Sequence, residues 1–153
     1  PGLDKMSSEG MLVMITVRTL MTSVVVTLSI GDTLAQAEAH LKRNNFRHLP
    51  VVDGLERLVG LVTHRMVLAA WVGRLEPRFE RPGEVASQVP IEMIMEREVV
   101  SVSPDTPAAD AAGIMIERKF GCLPVVENGK LVGILTETDF LRYTRLVLES
   151  QAS

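Results

Sequence analysis

The sequence contains little cysteine, few aromatic residues and no long apolar run. Cys122 is the only cysteine, so no disulfide can form within the chain, which suits a reducing cytoplasm. Aromatic residues make up 4% of the chain, and Trp71, Phe79 and Tyr143 are too scattered along it to form a stacking platform for nucleic-acid bases. No apolar run approaches the about 20 residues that a membrane-spanning helix needs.

A strong excess of either charge is also missing. The chain carries 16 Lys and Arg residues against 19 Asp and Glu residues, which gives a net charge of −3. Such a balance provides no basic footprint for nucleic acid or for an anionic membrane surface. No secretory signal pattern is visible either. The sequence therefore predicts a cytoplasmic protein with no nucleic-acid partner and no membrane partner.

Recognisable catalytic and metal-binding patterns are absent as well. His40, His48 and His64 fall on different predicted elements, without the spaced Cys or carboxylate residues of a metal site. Cys122 has no obvious activating base, and the sequence contains no phosphate-binding Gly-rich loop with a lysine. We therefore predict no catalytic residue and no metal ligand, and a protein that is not an enzyme.

What the sequence does contain is an internal repeat. Val17–Asp53 aligns without a gap with Ile91–Glu127, and both stretches include the run Leu-Pro-Val-Val. After one residue is absorbed in a turn, Leu58–Gly60 aligns with Leu131–Gly133. Two copies of so small a unit are expected to pack together, because neither closes a core alone. The cleft between them is a candidate ligand site, and positions where the copies differ are candidates for asymmetric function.

The hydrophobic pattern predicts the same order of elements in each copy: a short helix or turn, a strand, a helix, two strands and a helix. The first copy has predicted strands and helices at Val24–Leu28, Asp32 or Thr33 to Asn44, His48–Val52, Leu58–Val62 and His64–Gly73. The second copy has them at Val99–Val102, Thr106–Lys119, Cys122–Val126, Leu131–Leu135 and Glu137–Leu148. The predicted fold class is therefore α/β (α+β), with two β-α-β-β-α subdomains.

The repeat also predicts how the chain is divided. Residues 1–15 are expected to be a disordered or non-native N-terminal segment, residues 16–74 and 91–149 the two subdomains, and residues 150–153 a tail. Residues 75–90 are rich in proline and mixed charge, which is typical of an irregular surface segment. This segment is interpreted as a linker or insert, with a lid or a partner-docking loop as the alternatives.

The candidate site lies at the end of the second copy, in the run Gly-Ile-Leu-Thr-Glu-Thr-Asp that ends at Asp139. A strand delivers Thr136 to the start of a helix, where free N–H groups and the helix dipole favour a phosphate. A carboxylate one turn along accepts hydrogen bonds from both hydroxyls of a ribose. The alternative is a capping box, in which Thr136 and Asp139 satisfy only the N–H groups of their own helix.

The repeated unit resembles the CBS domain, named after cystathionine β-synthase, and the tandem pair resembles a Bateman module. The resemblance rests on the Leu-Pro-Val-Val strand, the Leu-Val-Gly strand and the ending Gly-h-h-Thr-x-x-Asp, where h is hydrophobic, and it covers about residues 17–148. It implies two sheets packed about a pseudo-two-fold axis, adenosine ligands bound in the clefts, and pairing into a homodimer that regulates another protein.

The resemblance also implies roles for single residues. Thr136 would contact a phosphate and Asp139 a ribose, and Thr138 belongs to the same set. The remaining implied ligand contacts are the first-strand residues Val99, Val100 and Ser101 and the base-covering residues Phe120, Gly121, Cys122 and Pro124. Plain core packing is the alternative for Phe120 and Cys122.

The first copy departs from this pattern at one position, because Met66 stands where the second copy has Asp139. A thioether is a weak acceptor, and the loss of a charged hydrogen-bonding group weakens binding by about 10- to 150-fold. We therefore expect one competent site per chain. The first-copy cleft is expected to be empty, or to bind weakly through Thr63, His64 and Arg65. Arg47 and His48 are candidate phosphate contacts at the centre of the module, or else a solvated edge and a core residue.

Together these features predict a protein that senses an adenosine nucleotide and acts on an unidentified partner protein through a ligand-dependent conformational shift. AMP is the favoured ligand, because one phosphate suffices for Thr136 and the helix end; ADP, ATP and S-adenosylmethionine are the alternatives. The rival interpretation is a constitutive dimerisation and assembly module without a physiological ligand.

Overall fold

The computed structural model describes residues 14–74 and 88–153. The predicted N-terminal segment 1–15 and the predicted irregular segment 75–90 therefore lie almost wholly outside the described residues. Within the described part, the chain forms two units, each with a small sheet and two main helices. None of the helices described is both long and apolar enough to cross a membrane.

The first unit matches the predicted order of elements. Its main helix α2 begins because Thr33 forms a capping box with Gln36, in which the Thr33 N–H donates to Gln36 Oε1 at 2.8 Å. The helix ends where Asn45 adopts a left-handed conformation with φ of 53°. The elements are α1 Val17–Leu20, β1 Leu28–Ser29, α2 Leu34–Asn44, β2 His48–Val52, β3 Leu58–Thr63 and α3 His64–Arg74.

The second unit repeats these elements after a short 3-10 turn at Ile91–Met93. Its first helix starts two residues later than predicted, because the Thr106 hydroxyl accepts the Ser103 N–H at 3.2 Å and holds Thr106 in the preceding turn. The elements are α4 Ala108–Arg118, β4 Cys122–Glu127, β5 Lys130–Thr136 and α5 Glu137–Gln151. The predicted helices and hairpins of both copies are confirmed, with shifts of a few residues at their ends.

The sheets are built around the two hairpins. In the first unit β1 runs parallel to β2, and β2 pairs antiparallel with β3, so that His48 lies opposite Thr63. In the second unit β4 pairs antiparallel with β5, so that Cys122 lies opposite Thr136. The start of each hairpin therefore lies beside the threonine at which the following helix begins.

The first strand of each copy is much shorter than predicted. Of the predicted strand Val24–Leu28 only the last residue is in a strand, β1 at Leu28–Ser29. In the second copy only a single bridge forms, between Val102 and Val125. The prediction was wrong here because these β-branched residues cross between the two units and have no continuous strand edge to pair with.

This crossing is visible in the backbone pairing of the residues just before each predicted strand. Thr22 exchanges two hydrogen bonds with Ile134 of the second unit, at 2.9 and 3.0 Å. Glu96 exchanges two with Leu61 of the first unit, both at 2.9 Å. Gly133 allows this close approach, because a Cβ there would lie 2.7 Å from Met21 Sδ. Each copy thus completes the other unit.

The two hydrophobic cores show the same exchange. The second-unit core includes Val17 from the start of the chain, and the first-unit core includes Val89, Ile91 and Met95 from the second copy. Val89 is 5% exposed, so the last residues of the predicted segment 75–90 belong to a core. Neither repeat buries its own apolar surface completely, which explains why two copies occur together.

Candidate functional site

The Thr136–Asp139 pair lies at the junction between β5 and α5, as predicted. Thr136 is the extended residue before the helix, with φ of −124° and ψ of 166°. Its N–H donates to Asp139 Oδ2 at 2.8 Å, and its hydroxyl lies 3.1 Å from the same oxygen. The pair has the geometry of a capping box, which is the alternative that the sequence left open.

The other carboxylate oxygen of Asp139 is also occupied. Oδ1 accepts a hydrogen bond from the Thr22 hydroxyl at 3.2 Å and contacts the Arg142 guanidinium at 3.4 Å. Asp139 is 5% exposed, and among the described residues it is the only polar or charged one that is buried. A buried carboxylate is rare unless it is paired. Four donors from both copies of the repeat therefore converge on Asp139.

Sequence reasoning missed Thr22 and Arg142. Arg142 was identifiable, because residues three apart on a helix are neighbours and Arg142 follows Asp139 by three positions. Thr22 has a weaker signal: it comes directly after the repeated Met21, and the second copy has Glu96 at the corresponding position. Its place beside Asp139 follows from the exchange of segments, which no local pattern indicates.

The predicted first-strand contacts Val99, Val100 and Ser101 lie on the segment that crosses between the units. That segment leaves Leu61 of the first unit at Glu96 and reaches the second unit at Val102. The segment that contacts Asp139 is the corresponding one of the first copy, which begins at Thr22. A role of Val99, Val100 and Ser101 in ligand binding stays a prediction.

Two residues of the predicted base-covering group lie directly beside the candidate site. The Gly121 carbonyl accepts the Glu137 N–H at 3.3 Å, and Cys122 is paired with Thr136 in the hairpin. Cys122 is buried, and burial raises the pKa of its thiol to about 12, so the thiol is neutral near neutral pH. These contacts place both residues at the start of α5.

The other members of the predicted group have different surroundings. Phe120 packs against the second core, with the Arg118 guanidinium 5.8 Å from its ring centre. Pro124 is buried opposite Ile134, further along the hairpin. Thr138 is exposed in the first turn of α5. Phe120 and Pro124 thus serve the core, whereas Thr138 faces solvent beside Thr136 and Asp139.

The centre of the molecule is formed by His48 and Gly121. A Cβ at Gly121 would lie 2.9 Å from the His48 ring, so the ring of one unit packs directly on the backbone of the other. Burial lowers the pKa of His48, with Arg47 lowering it further and Glu137 opposing the shift. Arg47 itself is exposed, and its carbonyl accepts the His64 N–H at 2.9 Å.

The equivalent site of the first copy lacks a carboxylate on its helix. The Thr63 hydroxyl accepts the Met66 N–H at 3.2 Å and caps α3 alone. His64 and Arg65 are exposed in the first turn, and Met66 is half-buried. The structure thus brings the predicted residues of this cleft together, but without an acceptor for a diol on the helix.

Two open cavities lie elsewhere on the surface. One, of about 440 Å³, lies between the two hairpin turns and is lined by residues 54–57 and 128–130. The other, of about 590 Å³, lies beside α1 and α5 and has Leu20, Phe140 and Tyr143 in its lining. Neither lining includes Thr136 or Asp139, so a ligand reaches Asp139 only if side chains move. In the part of the chain described, no group of three His, Cys, Asp or Glu residues is placed to hold a metal ion.

Comparison with known families identifies the repeat. The CBS domain profile matches residues 17–73 and 91–145, which are the two copies. The chain belongs to the CBS domain family. This confirms the resemblance and the predicted α+β fold of two CBS repeats.

Solved structures of CBS pairs are similar over nearly their whole length. A structure described as a putative acetoin utilization protein (AcuB) from Vibrio cholerae is 34% identical, with a TM-score of 0.79, and the match covers 91% of this chain and 96% of that one. CBSX2, solved in complex with AMP, is 28% identical with a TM-score of 0.73 (86% and 97%). The CBS pair of MJ0100, solved with 5'-methylthioadenosine and S-adenosyl-L-methionine, is 26% identical with a TM-score of 0.70 (86% and 96%).

Similar repeats also occur within larger proteins. The A-adding tRNA nucleotidyltransferase of Geobacter sulfurreducens is 32% identical over 124 residues, which cover 81% of this chain. The chain spans only 13% of the length of that protein. The similarity therefore concerns the CBS pair of that enzyme and not its whole length.

Proposed function

We propose that this CBS pair is a regulatory module that binds one adenosine nucleotide at Asp139 and transmits its presence to a partner protein. The observation that carries the proposal is the buried Asp139 carboxylate at the start of the 15-residue helix α5, with donors from both copies around it. A carboxylate in this place supplies two oxygens to a ribose diol.

The phosphate would lie at the N-terminus of α5. The first N–H groups of a helix and its dipole favour an anion there, and Thr136 and the exposed Thr138 add hydroxyl donors. One phosphate fits this set, which makes AMP the first ligand to test. ADP and ATP need further positive charge, which Arg47, Arg65 and Arg118 would have to supply, and S-adenosylmethionine is the remaining alternative.

The adenosine ligands of two structural relatives support this choice. CBSX2 was solved with AMP, and the MJ0100 pair with 5'-methylthioadenosine and S-adenosyl-L-methionine. In our proposal Gly121 and Cys122 flank the ligand, and the segment that begins at Thr22 completes the cleft. Val99, Val100, Ser101, Phe120 and Pro124 are proposed as further contacts. The first-copy cleft, with Thr63, His64, Arg65, Arg47 and His48, is proposed to bind weakly or not at all.

The mechanism would be a population shift. A ligand moves a conformational equilibrium only by its differential affinity for the two states. Because each unit is completed by a segment of the other copy, a change at Asp139 acts on residues of the first copy through Thr22. We propose that the module works as a homodimer in the cytoplasm, that its partner protein reads this change, and that it catalyses no reaction.

A second candidate function is a constitutive assembly module. It is favoured by the contacts of Asp139, all four of which are made within the chain. In that case Thr136 and Asp139 only cap α5, and the CBS pair dimerises and holds a partner without a ligand.

Thermal unfolding of the chain separates the two candidates. The chain is heated with AMP, ADP, ATP or S-adenosylmethionine at about 1 mM; a ligand with a dissociation constant of about 10 μM stabilises by about 2.7 kcal/mol, a shift of several degrees for a domain of this size. Asp139→Ala is expected to lose this shift. Gln36→Ala is the matched control, because Gln36 accepts the Thr33 N–H at 2.8 Å as Asp139 accepts the Thr136 N–H at 2.8 Å.

The two variants are expected to lose comparable capping stability, about 0.5–2 kcal/mol each. The sensor proposal requires that only Asp139→Ala loses the ligand-induced shift. If no ligand raises the midpoint of the unmodified chain, the assembly module is the better account.

A further inference from the structure

The hydrogen-bonding capacity of Asp139 is already filled. A carboxylate has about four lone-pair directions, and four donor groups surround this one. Oδ2 faces the N–H and the hydroxyl of Thr136, and Oδ1 faces the Thr22 hydroxyl and the Arg142 guanidinium. Only 3% of the Asp139 side chain is exposed. A ribose diol therefore bonds to Asp139 only after donors of the protein have left.

The four donors differ in how easily they leave. The Thr136 N–H belongs to the backbone at the helix start and is fixed by the fold. Arg142 is 70% exposed, its contact is long at 3.4 Å, and a long exposed side chain reorients at little cost. The Thr22 hydroxyl is the remaining donor to Oδ1, at 3.2 Å, and it leaves by a rotation about χ1.

Thr22 is held in place more firmly than Arg142. Two backbone hydrogen bonds join it to Ile134, and Met21 before it packs against Gly133. Its hydroxyl is thus presented to Asp139 by a fixed backbone of the other copy, so the Thr22–Asp139 bond re-forms whenever the diol leaves.

We propose that Thr22 is a built-in competitor of the ligand, whose hydroxyl occupies the diol position on Asp139 and lowers the affinity for the nucleotide. Thr22 thereby determines the concentration range over which the module responds. This inference rests on the proposed function, because it requires a nucleotide at Asp139. It assigns Thr22 a role opposite to that of a ligand contact, and the two roles differ in the sign of a single measurement.

The test is a calorimetric titration of the full chain and of Thr22→Val with AMP, ADP, ATP and S-adenosylmethionine. Valine has nearly the shape of threonine without its hydroxyl. Removing a competing hydrogen bond is expected to tighten binding by about 2- to 12-fold for the ligand that binds the unmodified chain. Thr19→Val is the matched control, because Thr19 is exposed on α1 and its hydroxyl has no hydrogen-bond partner among the described residues; its affinity is expected to stay unchanged.

Weaker or unchanged binding by Thr22→Val, while the unmodified chain binds normally, overturns this inference and leaves the proposed function standing. Failure of the unmodified chain to bind any of the four ligands overturns both. A second measurement needs no ligand: the losses in melting temperature of Thr22→Val and Asp139→Ala are expected to be non-additive in the double variant, because both remove the same bond. Strict additivity would contradict the role of Thr22.

Discussion

Asp139 and Met66 occupy the same place in the two copies, three residues after a threonine that precedes a helix. The partner segment differs as well: Thr22 pairs with the second unit, whereas Glu96 pairs with the first. The two clefts therefore carry a hydroxyl facing a carboxylate in one case, and a carboxylate on the segment facing a thioether in the other. Two exchanged positions account for the functional asymmetry that we propose.

The double variant Met66→Asp/Glu96→Thr is expected to give the first-copy cleft the side chains of the second. A carboxylate at position 66 would accept a diol, and removal of Glu96 avoids a like-charge neighbour. Calorimetric titration with AMP is expected to change from one to two ligands per chain. Met66→Asp alone serves as the control and is expected to bind less at the second cleft. A stoichiometry that stays at one in the double variant would contradict this explanation of the asymmetry.

His48 links stability to pH. Burial lowers the pKa of His48 below its usual value of 6.5, so between the two values the unfolded chain binds the proton and the folded chain does not. Its contribution is fully present above about pH 6.5 and is lost as the pH falls toward the folded-state pKa. Urea unfolding between pH 5.5 and pH 7.5 is expected to show a smaller pH dependence in His48→Gln than in the unmodified chain. Equal slopes would exclude His48 as the titrating group.

The residues of the site differ in how far sequence reasoning reached them. Thr136 and Asp139 were located correctly at a strand-to-helix junction, because a capping pattern is local. Thr22 was missed, since its contact with Asp139 joins residues 117 positions apart. The ligand roles of the remaining candidates stay predictions.

At the scale of elements, the structure follows local signals wherever these exist. Thr33 begins α2 and the turn after Val52 joins a hairpin, and both were predicted from residue type. The first strands failed because their β-branched residues favour a strand in general, while the pairing edge is decided by the other copy. Local propensity located the helices and hairpins, and tertiary pairing decided the rest.

Helix α2 provides a direct measure of capping without a ligand site. Gln36→Ala removes the acceptor of the Thr33 N–H and is expected to lower the free energy of unfolding by about 0.5–2 kcal/mol. Urea denaturation of the unmodified chain and of the variant gives this difference. Gln36→Glu keeps an acceptor and is expected to retain most of the stability. An equal loss in both variants would mean that the capping bond contributes nothing.

At the scale of the whole molecule, the two units share their cores. Val17 of the first copy lies in the second core, and Val89, Ile91 and Met95 lie in the first. Neither unit keeps a complete core if the other unfolds. We therefore expect the two units to unfold in one cooperative transition.

The only tryptophan and the only cysteine report on the two units separately. Trp71 packs against the first core, and Cys122 lies in the second unit. Because burial raises the pKa of the Cys122 thiol to about 12, this thiol is expected to react with a disulfide reagent at pH 8 only after unfolding. The urea midpoints from tryptophan fluorescence and from pulsed thiol labelling are expected to coincide. Midpoints that differ clearly would mean that the units unfold independently.

The central claim is that one adenosine nucleotide binds per chain and that Asp139 holds it. Calorimetric titration of the unmodified chain and of Asp139→Ala with AMP tests this claim most directly. The account predicts one site per chain and an affinity at least about tenfold weaker in the variant. Binding of equal strength in both proteins, or no binding to the unmodified chain, would contradict it.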